Sequence, residues 1–247
     1  MEAVYAERQR LLGAALLVLL FDGGFHAKAA CVDPATLANT TVSLTRHFTD
    51  EERAKDPTLL GIRGTAWFLS SRIIVTAGHV ALSMGLSSQE WKQVEINREG
   101  TRHSDLVRIQ RLAGEGTEKI AVLEFRNTLS AAQPLKMRTE PLVMGEAVAS
   151  IAYPGDHLRL ARGRFVREGE GKKLAGSALF ELTDGDDRLV LDHGASGAPV
   201  IDCEGRAVAV VTNVFSKTMA FMSQVIRVST SWGSPNVAAV PILVLGD

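Results

Sequence analysis

Two short stretches decide how this chain is read: Thr76-Ala77-Gly78-His79-Val80 and Gly194-Ala195-Ser196-Gly197-Ala198-Pro199-Val200. Each adjoins a run of strand-forming residues. A serine hydroxyl is a weak nucleophile until a neighbouring base takes its proton, and histidine is the usual base near neutral pH. Attack on a carbonyl creates an oxyanion, which needs preorganised N–H donors. The glycine two positions before the serine lets the chain bend so that the Gly194 and Ser196 N–H groups point at one spot. The second stretch therefore offers a nucleophile and an oxyanion-binding turn together.

Short β-type runs separated by turn signals begin at Gly61, the pattern of an all-β sandwich or barrel. Strands are expected at Thr65–Ser70, Ile73–Thr76, Gln93–Ile96, Leu106–Arg111, Ile120–Phe125, Ala147–Tyr153, Arg164–Glu168, Ala178–Leu182, Leu189–Leu191, Ala198–Asp202, Ala207–Asn213 and Val237–Leu245. A possible first strand lies at Thr40–Leu44. Pro241 makes the last strand an edge or a bent one. Helix is sparse, with a turn or two at Val80–Leu86. The hydrophilic segment Gln133–Glu140 reads as a linker.

The two motifs resemble those of the chymotrypsin-like (trypsin-type) serine proteases, especially their compact bacterial members. Gly64-Thr65-Ala66-Trp67-Phe68 resembles the family's G-T-x-F strand, and Thr76-Ala77-Gly78-His79 its T-A-x-H loop. Gly194-x-Ser196-Gly197-x-Pro199 is similar to its G-x-S-G-G-P loop, with Ala198 in place of the second glycine. The likeness spans roughly residues 60 to 245. It implies an all-β fold of two antiparallel six-stranded barrels, over about 40–135 and 141–247, with His79 from the first and Ser196 from the second. Histidine before serine fits this family, whereas an α/β-hydrolase places the serine first, on a strand–turn–helix elbow.

The implied chemistry is peptide-bond hydrolysis of a protein or peptide substrate through an acyl-enzyme. Ser196 is the nucleophile, His79 the general base and then acid, and the Gly194 and Ser196 amides the oxyanion hole. The family also needs a carboxylate to hold the histidine. Its aspartate directly precedes a strand like Ile120-Ala121-Val122-Leu123, but Lys119 stands there in this chain. Glu118, one residue earlier and one methylene longer, is the candidate orienting acid. Asp105 is a second candidate. The alternative reading is a protease-fold binding protein with impaired catalysis. Val190, six before the serine, and Thr212 are expected to line the primary pocket, where the lack of a carboxylate argues against cleavage after Lys or Arg.

The remaining histidines read otherwise: His193 as a wall of the cleft, His47, His103 and His157 as solvated. None forms H-x-x-x-H spacing, so no metal and no cofactor is expected. Asp184-Gly185-Asp186-Asp187 lacks the pattern of an EF-hand and reads as a hairpin turn.

With 27 Lys and Arg against 28 Asp and Glu, the chain has no basic excess that points to nucleic acid. Arg8 and Arg10 precede the apolar run Leu11 to Phe21, and Ala27-Lys28-Ala29 supplies an A-x-A site, so residues 1–29 read as a signal peptide and 30–247 as the mature domain. The run is too short to span a bilayer. The expected location is secreted or periplasmic, with no stable membrane insertion once the signal is removed. Cys31 and Cys203 are the two cysteines, either bridged after export or both free.

Overall fold

The computed structural model of the chain describes residues 37–54, 56–98, 100–114, 118–129, 132–172, 174–215, 217–221, 224–228 and 235–246, with the backbone alone for 217–221 and 224–228. The expected signal segment and Cys31 lie outside the described residues. Cys203 is disulfide-bonded.

The first barrel is built from β1 (Thr41–His47), β2 (Gly61–Phe68), β3 (Ile73–Ala77), β4 (Lys92–Arg98), β5 (Thr101–Ala113) and β6 (Ile120–Phe125), closed in the order β1-β2-β3-β6-β5-β4. Every pairing is antiparallel. Two short helices interrupt it, α1 (Asp50–Arg53) and α2 (Gly78–Ser83).

After the two-residue β7 (Lys136–Met137), the second barrel uses β8 (Ala147–Ala152), β9 (Arg159–Glu168), β10 (Ala178–Thr183), β11 (Pro199–Asp202), β12 (Arg206–Val214) and β15 (Val237–Pro241). They run in the order β11-β8-β9-β10-β15-β12 and close through the β11–β12 pair, while β7 joins β12 in parallel. The strands β13 (Lys217–Phe221) and β14 (Gln224–Val228) form a separate hairpin that the sequence reading did not include.

The strands beside His79 show no apolar–polar alternation because both of their faces are buried. Ala66 and Phe68 of β2, Ile74 of β3, and Ala121 and Leu123 of β6 point into the first barrel. Trp67, Val75 and Ile120 point the other way and pack with Ile151, Ile201, Val210 and Val240 of the second. This shared layer fixes one barrel against the other, and the candidate site lies beside it.

Two expected strands differ in instructive ways. Leu189–Leu191 is irregular; its apolar side chains pack on the second core, Leu191 fully and Val190 partly, without backbone pairing. The strand expected to reach Leu245 ends at Pro241 and turns into a 3-10 segment, Ile242–Leu245. That strand is not an edge: it pairs with β10 and β12, but Pro241 lies past the β10 pairing and faces only Ala209 of β12. No helix among the described residues is long and apolar enough to cross a membrane.

Candidate active site

The serine turn is a chain of alternately tied and untied amides. Ala195 N–H donates to Asp192 O at 2.7 Å, Gly197 N–H to Val211 O at 2.7 Å, and Ala198 N–H to Ala195 O at 3.0 Å. The N–H groups of Gly194 and Ser196 donate to no protein acceptor among the described residues. Two left-handed glycines shape the turn, Gly194 at φ +98° and Gly197 at φ +94°. At Gly197 space demands glycine as well, since an added Cβ would stand 1.9 Å from Thr65 O and 2.2 Å from Thr76 Oγ1. The Ser196 side chain is half-buried.

His79 sits in the first turn of α2, directly after β3. Val80 and Ala81 are buried and anchor that turn, leaving His79 exposed. Although the ring reaches solvent, the protein packed around it disfavours the imidazolium and holds its pKa below the ordinary 6.5. The negative charge of Glu118 works against that shift. His79 is thus biased toward the neutral form that a general base requires.

The two halves meet on Gly64 and Thr65. Thr65 N–H donates to Ser196 O at 2.8 Å. A Cβ on Gly64 would lie 2.5 Å from Val80 Cγ1 and 3.2 Å from Ser196 O, and one on Gly197 would lie 3.1 Å from Ala77 N. The neighbours of His79 and the backbone of Ser196 therefore flank the same two residues of β2. Thr65 is fully buried and does more than its motif announces. Its hydroxyl donates to Gly194 O at 2.6 Å and accepts from Tyr153 N–H at 3.0 Å, while its carbonyl accepts from Thr76 Oγ1 at 2.7 Å. The Gly64-Thr65 motif marks the strand in the sequence, but only the fold reveals these partners.

The acid side is built differently. The β3–β6 register pairs Ala77 with Ile120. One step beyond, Gly78 N–H donates to Lys119 O at 2.6 Å, and a Cβ on Gly78 would meet Lys119 Cβ at 2.8 Å. Lys119 therefore faces Gly78, and Glu118 continues toward His79. Glu118 acts on His79 through its charge, and no hydrogen bond joins them. Asp105, the second candidate, lies at the opposite end of β6. It is buried there, its carboxylate accepting from Leu106 N–H at 2.7 Å and Asn127 Nδ2 at 2.9 Å, so it is not the orienting acid.

Val190 lines an open cavity of about 590 Å³ with Pro154, Arg159, Arg188 and His193. Thr212, expected as a second wall, is turned inward instead: it is 5% exposed and its hydroxyl contacts Ala238 O at 3.4 Å. Thr212 sits where the β12–β15 register shifts, between Val211 and Asn213. Asp184 accepts from the Asp186 and Arg188 N–H groups, which makes Asp184–Asp187 a tight turn and lowers the Asp184 pKa. Among the described residues, no group of three or more His, Cys, Asp and Glu side chains is placed to hold a metal.

Two closed antiparallel barrels with this serine turn and histidine helix at their junction define a known class. The chain matches the family model of the trypsin-like peptidase domain over residues 64–210 and belongs to that family. It is thus a protease of trypsin-like fold. The Rv3671c protease from M. tuberculosis in its active form is similar, at 15% identity and a TM-score of 0.54 over 87% of this chain and 84% of that one. Deg5 is similar at 16% identity and 0.52 over 85% and 86%. The HtrA-type protease AlgW, solved with a tripeptide, is similar at 18% identity and 0.56 over 85% of this chain and 58% of that one. At such identities the likeness is one of fold. No curated protein matches the chain by sequence.

Proposed function

We propose that this protein is an exported serine endopeptidase that works through an acyl-enzyme. Ser196 Oγ attacks the scissile carbonyl carbon while His79 accepts its proton. The resulting oxyanion lies between the Gly194 and Ser196 N–H groups. Collapse of the tetrahedral species breaks the C–N bond, and His79 returns the proton to the departing amine. Water, deprotonated by His79, then hydrolyses the ester and frees Ser196. Glu118 supports the transient imidazolium by charge rather than by a direct bond. The cavity beside Val190 takes a substrate side chain. No cofactor enters this chemistry. Export rests on the residues 1–29 reading.

The observation that carries the proposal is the pair of unpaired amides, Gly194 and Ser196, in a turn where the Ala195, Gly197 and Ala198 N–H groups are all satisfied. Lys119, in the family's acid position, favours the rival reading of a non-catalytic binding protein. A fluorophosphonate activity probe separates the two. Labelling of wild type but not of Ser196→Ala or His79→Ala is expected, and no labelling of wild type rejects the enzyme.

A further inference from the structure

We infer that Thr65, a residue of the first barrel, is a positioning residue that holds the oxyanion turn of the second barrel in its working shape. The inference rests on the hydrolase reading above.

The Gly194–Ala195 peptide is tied at both ends, its carbonyl by the Thr65 hydroxyl at 2.6 Å and its N–H by Asp192 O at 2.7 Å. The Ser196–Gly197 peptide is tied likewise, its carbonyl by Thr65 N–H at 2.8 Å and its N–H by Val211 O at 2.7 Å. Between them lies the Ala195–Ser196 peptide, whose N–H is one of the two free donors. With both neighbours fixed, that N–H has one direction available. The other donor belongs to Gly194, the least restrained residue of the turn. Its left-handed φ of +98° is held from the carbonyl side by Thr65. Thr65 thus clamps the carbonyls of the same two residues whose N–H groups are left for the oxyanion.

The same hydroxyl has its single donor committed. It donates to Gly194 O and accepts from Tyr153 N–H, and it is wholly buried. Tyr153 opens the 3-10 turn Pro154–Asp156, whose Asp156 reaches back to the first barrel. There it accepts from Ser43 Oγ at 2.8 Å and pairs with Arg63 Nη2 at 2.8 Å. Asp156 adopts φ +67°, a backbone shape uncommon for aspartate, and these two contacts hold it. The wall behind Gly194 and the turn itself therefore take their positions from the histidine-bearing barrel. Through Thr76, whose hydroxyl binds Thr65 O at 2.7 Å, the clamp also touches the strand that carries His79.

The test uses the full-length protein and a fluorophosphonate probe, with kinact and KI measured separately. Thr65→Val keeps the shape and deletes the hydroxyl. It should lower kinact by roughly 10- to 100-fold, short of or at the edge of the loss of an oxyanion donor itself, with KI changed by less than about threefold. Thr65→Ser restores the hydroxyl and should return kinact to within about threefold of wild type. A Thr65→Val protein as fast as wild type overturns the inference. So does a Thr65→Ser protein as slow as Thr65→Val, which would assign the effect to the lost methyl group. Should Thr65→Val fail to fold, a crystal structure of the wild-type adduct decides. The phosphonyl oxygen must accept from Gly194 and Ser196 N–H while the Thr65 hydroxyl still binds Gly194 O, and an adduct with that bond broken overturns the inference. A wild-type protein that never reacts with the probe defeats the hydrolase reading itself, a result distinct from any Thr65 effect.

Discussion

The serine half of the site and the acid half are built to different tolerances. Around Ser196, backbone meets backbone: Gly197 lies under Thr65 O and Thr76 Oγ1, and Thr65 holds the carbonyls on both sides of the nucleophile. Around the far side of His79, the family's carboxylate is replaced by Lys119, and Glu118 contributes charge without a hydrogen bond. A turn packed this closely admits little change, because a Cβ at Gly197 collides with Thr65 and Thr76 and loss of the Thr65 hydroxyl leaves buried groups unpaired. A charge acting through space needs only approximate placement, so the residue that supplies it is free to move along the chain. The contrast explains how one half keeps a family motif nearly intact while the other departs from it.

The largest effect is expected at Gly197. Gly197→Ala sets a Cβ against Thr65 O at 1.9 Å on a φ of +94°. We expect a loss of at least about 3 kcal/mol and a thermal midpoint lower by roughly 6–12 °C, with probe labelling abolished. An unchanged midpoint would show that the serine turn is not held as described.

Glu118→Gln probes the other half. The Glu118 charge raises the His79 pKa against the larger lowering by burial, so its removal lets that pKa fall further. The acid limb of the kcat/KM profile reports the free enzyme and should move to lower pH. At the plateau, kcat should fall by less than about tenfold, against the ~10⁴ lost when a hydrogen-bonded triad aspartate is neutralised. A larger loss would mean that Glu118 binds the ring directly during catalysis.

The smallest effect is expected at Lys119. Lys119→Asp removes a cation opposite Gly78 and places a carboxylate directly before β6. It should leave kcat/KM unchanged or raise it by up to about fivefold. A clear fall, measured at the plateau pH, would assign Lys119 a role of its own.

Much of this was legible in the sequence because it depends on local chemistry. The all-β pattern, the His79 strand-to-helix step and the Gly194–Pro199 turn each carry a distinctive residue pattern, and the two barrels follow from the family that these motifs resemble. What was not legible depends on register and on which face a side chain takes. Thr212 has the expected position in the chain, but it is buried at a point where the β12–β15 register shifts. Leu189–Leu191 has the composition of a strand, yet its side chains pack without a backbone partner. Thr65 stands in a recognisable motif, but three of its partners lie 11, 88 and 129 residues away and meet it only through folding. Asp105 fails as the acid for a similar reason, since pairing carries it to the wrong end of β6.

The acyl-enzyme itself offers the most direct test of the account. Stopped-flow mixing with p-nitrophenyl acetate should release p-nitrophenolate in a burst of about one equivalent per chain from wild type, followed by slower turnover. Ser196→Ala should give no burst and only the background rate. Identical traces from the two proteins would contradict Ser196 as the nucleophile.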